Sequence, residues 1–305
     1  MAQHDAGALL AGPEPVGQIQ VTRQPCALAV EIHGLDGHDG SPGVFARMHA
    51  FRGTGQIGAS RRAVLICPDR HREERHMATY VLLHGAYQGG WIWQRVAPHL
   101  RAAGHAVFAP TLDGCAERRH ALRPGITTES QAAEIADMLF FEDLHDIVLV
   151  GTSCGGMVAA RVAETARERI GRIVLADALA LFDGETIADH VKRPAAVTTA
   201  LDTGPTREDA ANRMFVSLDA PMKKWALARY TPHPVAAMTE PVQLNSFWRQ
   251  DWNAAVIWCR QSANPPLAHQ RRAAETLKAR WLELDTGHYP MLTEPEALAR
   301  LLMAE

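Results

Sequence analysis

The chain has 305 residues, 47% of them hydrophobic, with 31 lysines and arginines against 34 aspartates and glutamates and a formal net charge of −3. That suits one globular domain with room for an insertion, and the balanced, dispersed charge offers no footprint for a nucleic acid. Apolar runs are strand-sized, too short for a membrane span, and Met1 to Gly7 lack the basic start and apolar core of a signal peptide, so a soluble cytoplasmic protein without a membrane partner is the expectation.

Residues 1–76 carry scattered Gly, Pro and Arg, including the run from Gly37 to Gly43 and the charged run from Asp69 to His76, with little sustained periodicity. They read as a poorly ordered extension or as the product of a start codon placed too far upstream, with Met77 the functional beginning. The apolar piece Ala63–Cys67 leaves room for a small extra hairpin. Deleting residues 1–76 is expected to preserve folding and activity, which a truncated chain would test by solubility and turnover. The cysteines Cys26, Cys67, Cys115, Cys154 and Cys259 are odd in number and lack metal-ligand spacing, so neither a disulfide framework nor a zinc site is expected.

From Met77 onward strand and helix patterns alternate, as a mostly parallel sheet flanked by helices requires. Strands are predicted at Tyr80–His84, His105–Ala109, Asp146–Val150, Ile173–Ala176, Ala255–Cys259 and Arg280–Leu284. Helices are predicted at Trp93–Ala103, Glu129–Phe141, Gly155–Arg167, Leu267–Lys278 and Pro295–Met303, with Thr128 and Gln131 as a capping box on the second. Between Asp177 and Asn253 the alternation stops. This insertion, rich in methionine and aromatic residues among prolines, is expected to form a helical cap over about residues 178–252, with most of its aromatics packing it onto the core.

The apolar run Val148-Leu149-Val150 leads into Gly151-Thr152-Ser153-Cys154-Gly155-Gly156, a Gly-x-Ser-x-Gly pattern between a predicted strand and a predicted helix. Glycines two before and two after a serine let the backbone make the sharp turn that exposes its hydroxyl as a nucleophile. Such a serine needs a base. His288, in the loop between the last strand and the last helix, sits at the same carboxyl edge of the sheet and follows the serine in chain order. An oxyanion needs two preset donors; the backbone N–H groups of Cys154 and of Ala86, in the loop after the first strand, are the candidates. The Cys154 thiol is a rival nucleophile in principle, although its place in the motif suits a small buried side chain better. Trp91 and Trp93 beside the oxyanion loop, with Trp225 and Phe247 from the insertion, are candidate pocket residues.

Residues 77–305, with Leu82-Leu83-His84-Gly85-Ala86, Gly90-Trp91-Ile92-Trp93, the Ser153 motif and Gly287-His288-Tyr289-Pro290, resemble the α/β-hydrolases of the plant methylesterase and hydroxynitrile lyase group. Among bacterial members the resemblance is to carbendazim-hydrolysing esterases. It implies an α/β-hydrolase fold with a cap inserted after the strand ending at Asp177, a Ser-His-acid triad, no cofactor, no metal, and a small apolar ester or carbamate ester as substrate. The chain departs from the group at the acid: the usual position is Ser262, and no carboxylate lies between Asn253 and Glu275. Some α/β-hydrolases take the acid from the end of the strand after the elbow helix, which here is Asp177; Asp285 is the rival. In the resembling lyases a threonine follows the first-strand histidine and a lysine the catalytic one, whereas this chain has Gly85 and Tyr289. A ligand receptor on the same fold is a third reading. The sequence does not decide between a monomer and a homo-oligomer.

Overall fold

The computed structural model describes residues 77–191 and 196–304, together with a short strand pair near the N-terminus. The chain divides into two units, Met1–Glu74 and Arg75–Glu305. In the first, β1 (Val21–Gln24) pairs antiparallel with β2 (Ala27–Val30), a hairpin not anticipated from the sequence. The expected disorder of residues 1–76 and the hairpin expected at Ala63–Cys67 otherwise lie outside the described residues.

The second unit runs β3 (Thr79–Leu83), α1 (Ala97–Ala102), β4 (Ala106–Phe108), α2 (Thr128–Phe141), β5 (Ile147–Ser153), α3 (Gly155–Thr165) and β6 (Ile170–Ala178). An insertion follows, holding β7 (Val197–Thr198), β8 (Asp202–Gly204), α4 (Arg207–Asp209), α5 (Ala220–Arg229), β9 (His233–Pro234) and α6 (Val235–Thr239). The chain then rejoins the sheet with β10 (Ala254–Cys259), α7 (Leu267–Leu277), β11 (Arg280–Leu284), α8 (Pro290–Thr293) and α9 (Pro295–Met303). The main sheet has the order β11-β10-β6-β5-β3-β4, with every pairing parallel. The insertion is not purely helical: β7, β8 and β9 form a small antiparallel sheet of their own.

Both faces of the main sheet are covered, which explains why its inner strands read as apolar runs. Side chains alternate between two cores. Val81 and Leu83, Ile147 and Leu149, Ile173 and Leu175, and Val256 face the core shared with Ile135 and Leu139 of α2 and Met157 and Val158 of α3. Tyr80 and Leu82, Val148 and Val150, Val174 and Ala176, and Ala255 and Ile257 face the core shared with Leu100 of α1 and Leu298 and Leu302 of α9. The chain leaves β3 for β4 at one edge and returns to β5 on the other side of β3, so the loops after β3 and β5 diverge and open a crevice at the carboxyl edge.

Two local expectations are corrected. The helix predicted from Trp93 is a 3-10 turn over Gly90–Trp93 followed by α1, which starts only at Ala97. Pro98 is the reason, since a residue without an N–H and with a fixed φ fits only the first turn of a helix. The capping box is one residue earlier than Thr128 and Gln131. Thr127 Oγ1 accepts the Ser130 N–H at 3.1 Å, and Ser130 Oγ accepts the Thr127 N–H at 2.9 Å. Gln131 is buried and donates to the Asp113 carbonyl at 3.0 Å.

Candidate active site

β5 ends on Ser153, whose φ of +49° is left-handed, and α3 begins two residues later with Cys154 as its N-cap. For a residue with a Cβ that conformation costs on the order of 1–3 kcal/mol and persists only where the surroundings impose it. Gly155 makes the turn sterically feasible, because a Cβ there would stand 2.6 Å from the His84 carbonyl oxygen and 2.7 Å from that of Leu83.

The neighbouring strand carries a second left-handed residue. Asp177 has φ +48°, and the β5–β6 register skips it, pairing Thr152 with Ala176 and Ser153 with Ala178. Asp177 is thus the extra residue of a β-bulge, a device that re-aims a side chain at a sheet end. The Leu179 N–H donates to the Ser153 carbonyl at 2.8 Å and fixes the two strand ends together.

The bulge brings the fully buried Asp177 carboxylate to His288, with Oδ2 2.5 Å from Nδ1. The His288 side chain, in the loop before α8, keeps 25% of its surface exposed. The other carboxylate oxygen, Oδ1, accepts from Gln270 Nε2 at 2.8 Å. Asp285, the rival acid, turns away from the imidazole: its side chain is 63% exposed, lies 3.4 Å from Arg260 and accepts from Gln261 Nε2 at 3.2 Å. Ser262 donates to the Asn264 carbonyl at 3.0 Å.

His84 is a clamp on the loop after β3. Its Nε2 accepts the Leu112 N–H at 3.0 Å, which places the ring proton on Nδ1, 2.8 Å from the Gly85 carbonyl oxygen. Burial pushes this imidazole down to about 4, against a partial opposing effect of the Gly85 bond, so it stays neutral. The Gly85 N–H is already used, donating to Gln88 Oε1 at 3.2 Å. Ala86, next in the loop, and Cys154 are both buried, and the Cys154 thiol lies 3.9 Å from the sulfur of Met238 in α6. Tyr289 is buried edge-on to His288, with ring centroids 5.2 Å apart; burial, foremost, raises its phenol well above the usual range.

His269 repeats the pattern of a neutral buried histidine, accepting the Ala180 N–H at 2.9 Å and held down to about 4, chiefly by burial. For both histidines the unfolded chain binds a proton below about 6.5 that the folded chain refuses until about 4. Stability is therefore full above pH 6.5 and falls as pH drops from 6.5 to 4, by on the order of 3 kcal/mol per histidine. Urea midpoints measured across that window should decline steeply with acid, and a flat profile would contradict the two clamps.

The four candidate pocket residues separate. Trp91 is nearly buried and meets Trp225 of α5 edge-on at 5.2 Å. Trp91 also borders a cavity of about 410 Å³ whose walls include Arg119, Arg207, Arg229 and Tyr230; neither Ser153 nor His288 lines it. Trp93 is fully buried in the core between the sheet, α1 and α9, and so presents no surface. Phe247 is fully buried against Trp252 and Trp248. Its N–H donates to Glu164 at the far end of α3 from Ser153. The aromatic side chain gave no hint of that end, since apolar residues of an insertion look alike whether they face a ligand or a core.

Among the described residues no group of three His, Cys, Asp or Glu side chains is placed to hold a metal ion, and no helix is long and apolar enough to cross a membrane.

A model of the alpha/beta hydrolase family matches residues 80–301. The chain belongs to the α/β-hydrolase family. It is 38% identical over 111 residues to a carbendazim hydrolyzing esterase of Nocardioides sp., a match spanning 36% of this chain and 46% of that protein. It is 24% identical over 259 residues to methylesterase 7 of Arabidopsis thaliana, spanning 76% of this chain and 97% of that protein. Among solved structures, an extracellular alpha/beta-hydrolase from a Paenibacillus species superposes with a TM-score of 0.64 at 23% identity, over 74% of this chain and 97% of the other. This α/β-hydrolase thus has esterases among its relatives.

Proposed function

We propose that this α/β-hydrolase is a serine esterase in which Ser153 attacks the carbonyl, His288 accepts its proton and returns it to the leaving alcohol, and Asp177 holds the histidine. The observation that carries the reading is the 2.5 Å contact between Asp177 Oδ2 and His288 Nδ1. A carboxylate on Nδ1 fixes the tautomer whose other nitrogen, Nε2, is free to act as a base, and it stabilises the imidazolium that follows. The N–H groups of Ala86 and Cys154 would stabilise the tetrahedral oxyanion, and water would then release the acyl or carbamoyl enzyme.

For substrate class, we take a small, flat, apolar ester or carbamate ester, with the methyl carbamate carbendazim as the specific candidate. The partial likeness to the Nocardioides esterase supports this choice. In that case methanol leaves first, and the carbamic acid loses carbon dioxide to give 2-aminobenzimidazole. Cyanohydrin cleavage is disfavoured at position 85, because a Cβ on Gly85 would lie 2.6 Å from the Cβ of Ser153. The threonine that marks the resembling lyases has no room there without moving the serine. Incubation with methyl carbamates, aryl esters and cyanohydrins, followed by mass identification of products, is expected to give methanol from the benzimidazole methyl carbamate; cyanide released faster than any ester is cleaved would reverse the reading.

The same crowding makes Gly85→Ala informative. It should leave the fold intact and lower turnover by about 10² or more, the scale at which a misplaced nucleophile or oxyanion donor is felt. Turnover within twofold of the parent would show that Ser153 tolerates displacement.

A further inference from the structure

Resting on the reading of Ser153, His288 and Asp177 given above, we infer that Gln270 is a positioning residue whose side-chain amide keeps the Asp177 carboxylate turned toward His288. A carboxylate with no exposed surface must be met by donors or it takes up a proton. Asp177 divides the task between its oxygens, with His288 Nδ1 on Oδ2 at 2.5 Å and Gln270 Nε2 on Oδ1 at 2.8 Å.

The orientation of the amide is forced by its surroundings. Gln270 Nε2 also donates to the Pro265 carbonyl at 3.1 Å, so both neighbours of that nitrogen are acceptors. Turning the amide over would set its carbonyl oxygen against a carbonyl and a carboxylate at once. Gln270 is itself 1% exposed. The preceding residue on α7, His269, accepts the Ala180 N–H, so adjacent residues of one helix hold the bulge residue and the chain just after it.

With Oδ1 held by the Gln270 amide, Oδ2 is left facing the His288 Nδ1. That is the orientation required while His288 carries the proton from Ser153. Cys259 on β10 feels the Asp177 charge, and its thiol is raised by burial and then by that charge, so it stays neutral. Gln270 touches no reacting atom and acts only through Asp177.

A double-mutant cycle on the full chain, with p-nitrophenyl acetate as the probe, distinguishes this role from a structural one. Gln270→Leu should lower kcat by about tenfold or more with KM within about threefold, whereas in an Asp177→Asn background the same change should alter kcat by less than about twofold. Should the leucine variant fail to fold, Gln270→Met, which keeps the length and lacks the donor, runs the same cycle. An equal loss in both backgrounds, or none in the parent, would overturn the inference. If Asp177→Asn alone retains full kcat, it is the triad reading that has failed.

Discussion

Ser153→Ala is expected to yield a folded protein whose ester turnover is lower by about 10⁴ or more, the loss typical of a triad serine. The fold should survive because alanine keeps the Cβ and the left-handed backbone of the turn, and the bond from Leu179 to the Ser153 carbonyl is unaffected. The loss should fall on kcat rather than KM, since the hydroxyl contributes bond formation and not ground-state binding. Circular dichroism and thermal melting would check the fold, and progress curves with an aryl acetate would check the rate. Turnover near that of the parent would remove the serine mechanism altogether and direct attention to the adjacent Cys154.

Asp177→Asn is expected to cost about 10² to 10⁴ in kcat without unfolding the chain. The substitution preserves size, and the asparagine carbonyl can still accept from Gln270, but the amide removes the negative charge beside His288 and admits the wrong imidazole tautomer. Asp285→Asn, made in parallel, should leave kcat within about twofold, because an exposed side chain paired with Arg260 stands in solvent, where charge contributes little. If Asp285→Asn is the more damaged variant, the acid has been assigned to the wrong strand.

The contrast between these two aspartates shows what the sequence could and could not convey. Both end or follow a predicted strand, and both lie on the carboxyl edge. What separates them is a one-residue bulge between Ala176 and Ala178, and a register skip leaves no mark on composition or periodicity. The elbow itself was legible, since Gly-x-Ser-x-Gly between a β-branched run and a helical one encodes its turn locally. The inner strands of the main sheet were legible for the related reason that burial on two faces demands apolar runs. Gln270 was not, because nothing near it on α7 points to a partner 93 positions away. The insertion was the least legible part: its boundaries showed as a break in alternation, but which aromatics face a ligand depends on closure onto the core. Phe247, with its amide on Glu164, illustrates how that question is settled only by packing.

Labelling with diisopropyl fluorophosphate, followed by peptide sequencing in the mass spectrometer, tests the central claim most directly. The reagent forms a stable phosphoester only with a hydroxyl activated by a neighbouring base. A single adduct on Ser153, with labelling slowed at least about tenfold in His288→Ala, is the predicted result. An adduct on any other residue, or labelling of Ser153 at an unchanged rate without the histidine, would contradict it.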